Sequence, residues 1–142
     1  MTLEARQNGI EQLFLTDPLL FSELLFKGRL NQFHEAQNSK ASHVFLDRGL
    51  PDVLAYLNYV QTDYPNHFDE SCKTNVYDHV FVLSPWQEIF ESDTERYENF
   101  EQSIAIHEHL VLIYKHFGYQ LIDVPFGSVE GRTDFILNLL NL

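Results

Sequence analysis

The stretch His43-Val44-Phe45-Leu46-Asp47-Arg48-Gly49-Leu50-Pro51-Asp52 decides how this chain is read. Three consecutive β-favouring or bulky apolar residues, stopped abruptly by an acid, an arginine and a glycine, have the pattern of a buried parallel strand with a charged carboxyl end. Pro51-Asp52 then opens a helix through about Val60, because proline suits the first turn, where its missing N–H costs nothing. A strand that hands its chain directly to a helix is half of a βαβ unit, and the rest of the sequence is read against that unit.

Upstream, Thr16-Asp17-Pro18 supplies a cap and a first-turn proline, and apolar residues from Leu20 to Phe33 recur every three or four positions. This spacing predicts a helix from Pro18 to about Ala36, softened at Gly28. Downstream, Gln61 to Asn75 is polar, lacks periodicity and reads as a loop or lid-like excursion. Val80 to Leu83 is a second expected strand, stopped by Ser84-Pro85. The dense acidic stretch from Trp86 leads into a helix ending near Phe117, with Gly118 placed to cap it. Tyr119 to Val124 is a third expected strand, and a last helix starts near Ser128 and covers Phe135 to Leu140. Alternating strands and helices imply a single α/β domain over residues 1–142 with a parallel sheet and right-handed crossovers.

The chain has 142 residues, with 9 Lys+Arg against 21 Asp+Glu, a formal net charge of −12. That balance argues against a nucleic-acid partner and against an anionic membrane surface. An apolar fraction of 44% with 14% aromatic residues is enough for a real core. A single cysteine, Cys72, cannot form an internal disulfide, which points to a reducing compartment, the cytoplasm. No leader peptide and no run of roughly 18–20 apolar residues is visible.

Three groups of residues could carry chemistry. Asp47 lies at a strand end, where open α/β sheets bind ligands, and could hold magnesium or accept a proton from a hydroxyl; Arg48 beside it can grip phosphate with two hydrogen bonds. The plain alternative is a strand-end ion pair. Arg96, in an acidic segment after a strand, has the position of a lid cation, with a solvated helix as its alternative. Val124-Pro125-Phe126-Gly127-Ser128-Val129-Glu130-Gly131-Arg132-Thr133 superficially suggests a phosphate loop, but its glycines are one residue too close and arginine stands where lysine is required. His107 and His109, two apart on one helix, point in different directions and do not form a zinc pair. A catalytic role for Cys72, with only Lys73 as an activating neighbour, has little support.

Taken in order, Phe14 to Phe21, the Asp47-Arg48-Gly49-Leu50-Pro51-Asp52 string, Val82 to Trp86 and the tail Tyr114 to Leu137 with its Gly118-Tyr119-Gln120-Leu121-Ile122-Asp123-Val124-Pro125 segment resemble the P-loop NTPases typified by the ribosylnicotinamide kinase domain, often labelled AAA-type ATPases. The resemblance implies a three-layer sandwich, ATP with Mg2+, and a small-molecule acceptor. It implies Asp47 as the acid or magnesium support, Arg48 on phosphate, Arg96 in the lid, and Pro125, Gly127, Ser128 and Val129 near the base. Family members begin with a strand and a G-x-x-x-x-G-K-[ST] loop, which this sequence lacks: none of Lys27, Lys40, Lys73 and Lys115 follows a glycine. The expectation is therefore a P-loop kinase-like fold without its first strand and phosphate loop, the carboxyl-terminal part of a longer protein. Such a chain would be inactive or bind nucleotide weakly, and the alternative is a non-catalytic interaction module that oligomerises, for instance as a homodimer, through an exposed sheet.

Overall fold

The computed structural model describes residues 17–85 and 100–142. The elements, in chain order, are α1 (Pro18–Gln37), α2 (Leu50–Tyr59), α3 (Asn66–Thr74), β1 (Val80–Val82), α4 (Phe100–His116), β2 (Leu121–Asp123) and α5 (Val129–Leu139). They fall into two compact units, divided between Val76 and Tyr77. Among the described residues, no helix is long and apolar enough to cross a membrane.

The first unit is helical. Asp17 starts α1 by accepting a hydrogen bond from the Leu20 amide at 3.1 Å, with Pro18 in the first turn. Phe21, Phe26 and Phe33 are the buried apolar residues of α1. α2 is the core of the unit: Leu50, Pro51, Val53, Leu54, Ala55 and Leu57 are all buried, and both α1 and α3 pack on it.

α3 corrects the expectation of a loop over 61–75. Phe68 and Cys72, four residues apart, are its only buried side chains. Two buried anchors on an otherwise polar nine-residue helix leave too little periodicity to see in the sequence, and the helix is held chiefly by the ring contacts of Phe68. The rings of Phe26 and Phe68 stack at 4.4 Å with 9° between planes, and His67 meets Phe68 edge-on at 4.8 Å.

The expected strand at Val44–Leu46 is not formed. Residues 43–46 have no regular secondary structure and run between bends at 41–42 and 47–48, with Val44 and Phe45 exposed at 44% and 58%. β-propensity describes fitness for a half-buried pleated surface rather than an intrinsic backbone preference, and among the described residues no strand lies beside this run to provide that surface.

The second unit contains the sheet, two parallel strands in the register Val80↔Leu121, Phe81↔Ile122 and Val82↔Asp123. One further bond, from the Val124 amide to the Val82 carbonyl at 2.9 Å, extends the ladder past the strand end. Both strands match the expected positions. The crossover helix α4 ends as the sequence indicated: Gly118 has φ +87°, its amide bonds to the Lys115 carbonyl, and the Tyr119 amide reaches back to the Tyr114 carbonyl. This is a Schellman closure, which needs a residue free to adopt positive φ. It turns the chain so that the Tyr119 hydroxyl accepts from the Tyr77 amide at 2.9 Å, tying the start of β2 to the entry of β1.

Candidate functional site

Each unit presents one set of groups that could act on a ligand. In the first, Asp47 and Arg48 form an exposed tip ahead of α2. The tip is fixed from below by Asp52. One Asp52 carboxylate oxygen accepts from the Gly49 amide at 3.2 Å and the other lies 3.4 Å from the Arg48 guanidinium, while Arg29 donates to the Gly49 carbonyl at 3.4 Å. Gly49 and Asp52 thus form the backbone half of a capping box, and α2 begins from a braced loop. Arg48 has φ +73°, a left-handed conformation that costs a side chain with a Cβ and recurs at functional turns. Asp47 stands exposed with no partner among the described residues, and those residues contain no group of three or more His, Cys, Asp or Glu able to hold a metal. A lone exposed carboxylate suits Mg2+ only as one ligand alongside the oxygens of bound phosphates.

In the second unit, β1 and β2 deliver their carboxyl ends side by side. β2 runs through buried Val124 into an exposed loop, with a bend at Phe126–Gly127, and then into α5. Ser128 caps α5, its hydroxyl accepting from the Gly131 amide at 2.9 Å. A Cβ at Gly131 would approach that hydroxyl to 3.2 Å, so the glycine keeps the cap uncrowded. Pro125, Gly127 and Ser128 are exposed, and Val129 is 72% exposed, an apolar residue presented at a helix start.

A polar group that the sequence reading missed stands at the same strand ends. The Ser84 hydroxyl, just after β1, lies 3.5 Å from His107 Nε2 on α4, at the outer limit of a hydrogen bond. Burial pushes the His107 pKa down, and the charges of Asp123, the last residue of β2, and of Glu108 pull it partly back. His109 instead directs Nδ1 to the Ala105 carbonyl at 2.9 Å, so the two histidines do diverge as their spacing required. Position could have revealed the cluster: Ser84 and Asp123 both flank the carboxyl end of a parallel strand.

Of the sequence-predicted residues, Asp47 and Arg48 are adjacent at one tip, and Pro125, Gly127, Ser128 and Val129 share one loop. Arg96 lies outside the described residues. Against known families, the model described as AAA domain matches residues 1–132. The chain belongs to the AAA domain family. It is thereby placed among nucleotide-binding P-loop domains, and the parallel β1–β2 pair is compatible with such a fold. No curated protein and no solved structure gave a match. In this AAA domain the loop after β2 and the start of α5 occupy the strand-end position where open α/β sheets take their ligands.

Proposed function

We propose that this AAA domain is a small-molecule-kinase-type nucleotide binder of the three-layer P-loop type, which takes up ATP with Mg2+ weakly and does not turn it over. The observation that carries the reading is the family match over residues 1–132 on a chain whose parallel strand β2 opens into an exposed, serine-capped loop. In this reading Pro125, Gly127, Ser128 and Val129 are the ligand-facing residues of the second unit, with Val129 offering an apolar surface. Arg48 binds phosphate. Its present partner Asp52 is 3.4 Å away and the arginine side chain is 54% exposed, so the pair is weak and the guanidinium can exchange partners. Asp47 supports magnesium together with the nucleotide's own phosphates, and Arg96 serves the lid.

Binding is weak because a Walker A loop, whose amides and lysine cradle the triphosphate, has no counterpart in the sequence. Calorimetric titration with ATP, with and without Mg2+, tests this. The expected dissociation constant is on the order of 1 mM, strengthened by Mg2+. Arg48→Ala should weaken it by about tenfold, the value of a charge-assisted contact. No saturable heat would overturn the nucleotide reading, and micromolar affinity would overturn the weak-binding part of it.

A further inference from the structure

Residues 43–46 carry more than a failed strand. Among the described residues their backbone N–H and C=O groups make no hydrogen bond, and two large apolar side chains, Val44 and Phe45, stand in solvent. A β-prone apolar run whose backbone makes no hydrogen bond among the described residues can pair with another chain as an edge strand does. The run also forms one wall of an open groove of about 300 Å³, whose other wall is α1 at Gln32, Glu35 and Ala36.

The sequence of the run is complementary to itself. In an antiparallel pair of two copies with the two-fold axis at Phe45, residue 43 faces 47, 44 faces 46 and 45 faces 45. Strand alternation then sorts the pairs by chemistry. One face of the ribbon carries His43 of one copy opposite Asp47 of the other, twice, flanking a central Phe45–Phe45 contact. The other face carries Val44 opposite Leu46, twice. A basic residue meets an acid and every apolar residue meets an apolar one. Such self-matching is what an isologous two-fold interface requires, and it offsets locally the repulsion expected between two chains of net charge −12.

We infer that this chain homodimerises by antiparallel pairing of His43–Asp47 with the same segment of a second copy, Phe45 lying at the centre. The two-stranded ribbon gives backbone groups that make no hydrogen bond among the described residues a partner, and brings Phe45 against Phe45 and Val44 against Leu46, reducing their exposure. Asp47 also has the magnesium role proposed above, so association is measured without nucleotide or Mg2+, and its failure leaves the nucleotide reading untouched.

Sedimentation velocity on the full chain across the micromolar range should show a concentration-dependent monomer–dimer equilibrium. Phe45→Lys should raise the dimer dissociation constant by about tenfold or more, as loss of a central aromatic anchor does. His43→Asp, which sets two acids opposite each other, should also weaken the dimer, and adding Asp47→Lys to it should restore association. Because Phe45 is exposed, circular dichroism should show an unchanged fold in each variant. Phe45→Cys should give a disulfide-linked dimer on mild oxidation, whereas Leu24→Cys, an exposed control on α1, should not. A wild-type chain that stays monomeric overturns the proposal, as does a dimer indifferent to Phe45→Lys. A dimer that Phe45→Lys weakens but the charge exchange leaves unchanged overturns the antiparallel register.

Discussion

Cys72 illustrates how much a single side chain's surroundings decide. Its Sγ is buried between helices, with Asp69 one turn earlier, and burial with that negative neighbour pushes the thiol pKa up to about 12. A thiol is reactive only as thiolate, so Cys72 should resist a maleimide or disulfide reagent in the native protein and react promptly in denaturant. Rapid labelling of the folded chain would contradict the burial. Ser22 is a second such case: its hydroxyl is buried without a hydrogen-bond partner among the described residues, which costs free energy that an apolar residue would not incur. Ser22→Ala should therefore raise stability by about 1 kcal/mol in urea denaturation, and a loss instead would mean that the hydroxyl is satisfied. Neither property was legible in the sequence. Cys72 falls in a stretch that reads as a loop, and burial at either site is settled by elements distant along the chain.

Elements announced by local chemistry were read correctly, as were the apolar runs that became β1 and β2, whereas α3 and residues 43–46 were not. The starts of α1, α2 and α5 and the end of α4 are written in caps, first-turn prolines and Gly118, whose effects act within one turn. α3 exists because Phe68 finds Phe26 across the unit, and among the described residues no strand lies beside 43–46; neither fact is local. Two substitutions probe this division. Asp52→Ala removes both the Gly49 amide bond and the Arg48 contact at the head of α2, and should cost about 1 kcal/mol. Phe68→Ala removes a fully buried stacked ring from α3 and should cost about 3–5 kcal/mol. Equal costs for the two would show that capping, not the aromatic contact, holds the helical unit together.

At the scale of the whole molecule, His107 makes one definite contribution to the response to pH. His107 has its pKa held below the usual value of 6.5 by burial. Unfolded chains therefore take up this proton before folded ones as pH falls, so the stability His107 contributes is whole above about pH 6.5 and drains away as pH drops through the lower folded-state value. His107→Gln should flatten that part of the stability–pH curve, and NMR titration of Asp123→Asn should place the imidazole pKa lower still, since a charge that pulls it up is gone. An unchanged curve in His107→Gln would remove the residue from this role. The site's legibility follows the same physics. The residues proposed for the site are contiguous in order, Asp47 with Arg48 and Pro125 to Val129, so their adjacency needed no fold to be seen. The Ser84–His107 contact joins residues 23 apart and became visible only when β1 and α4 were placed together.

The left-handed backbone at Arg48 makes that position a place where comfort and chemistry rank residues in opposite orders. At φ +73° glycine carries the least conformational penalty, asparagine an intermediate one, and arginine or lysine the most. A substitution series Gly, Asn, Lys, Arg at this single position should thus descend in melting temperature while it ascends in affinity for phosphate-bearing ligands. Crossing rank orders would mark the residue as retained for its guanidinium at the expense of the fold, and parallel orders would reduce it to a turn former.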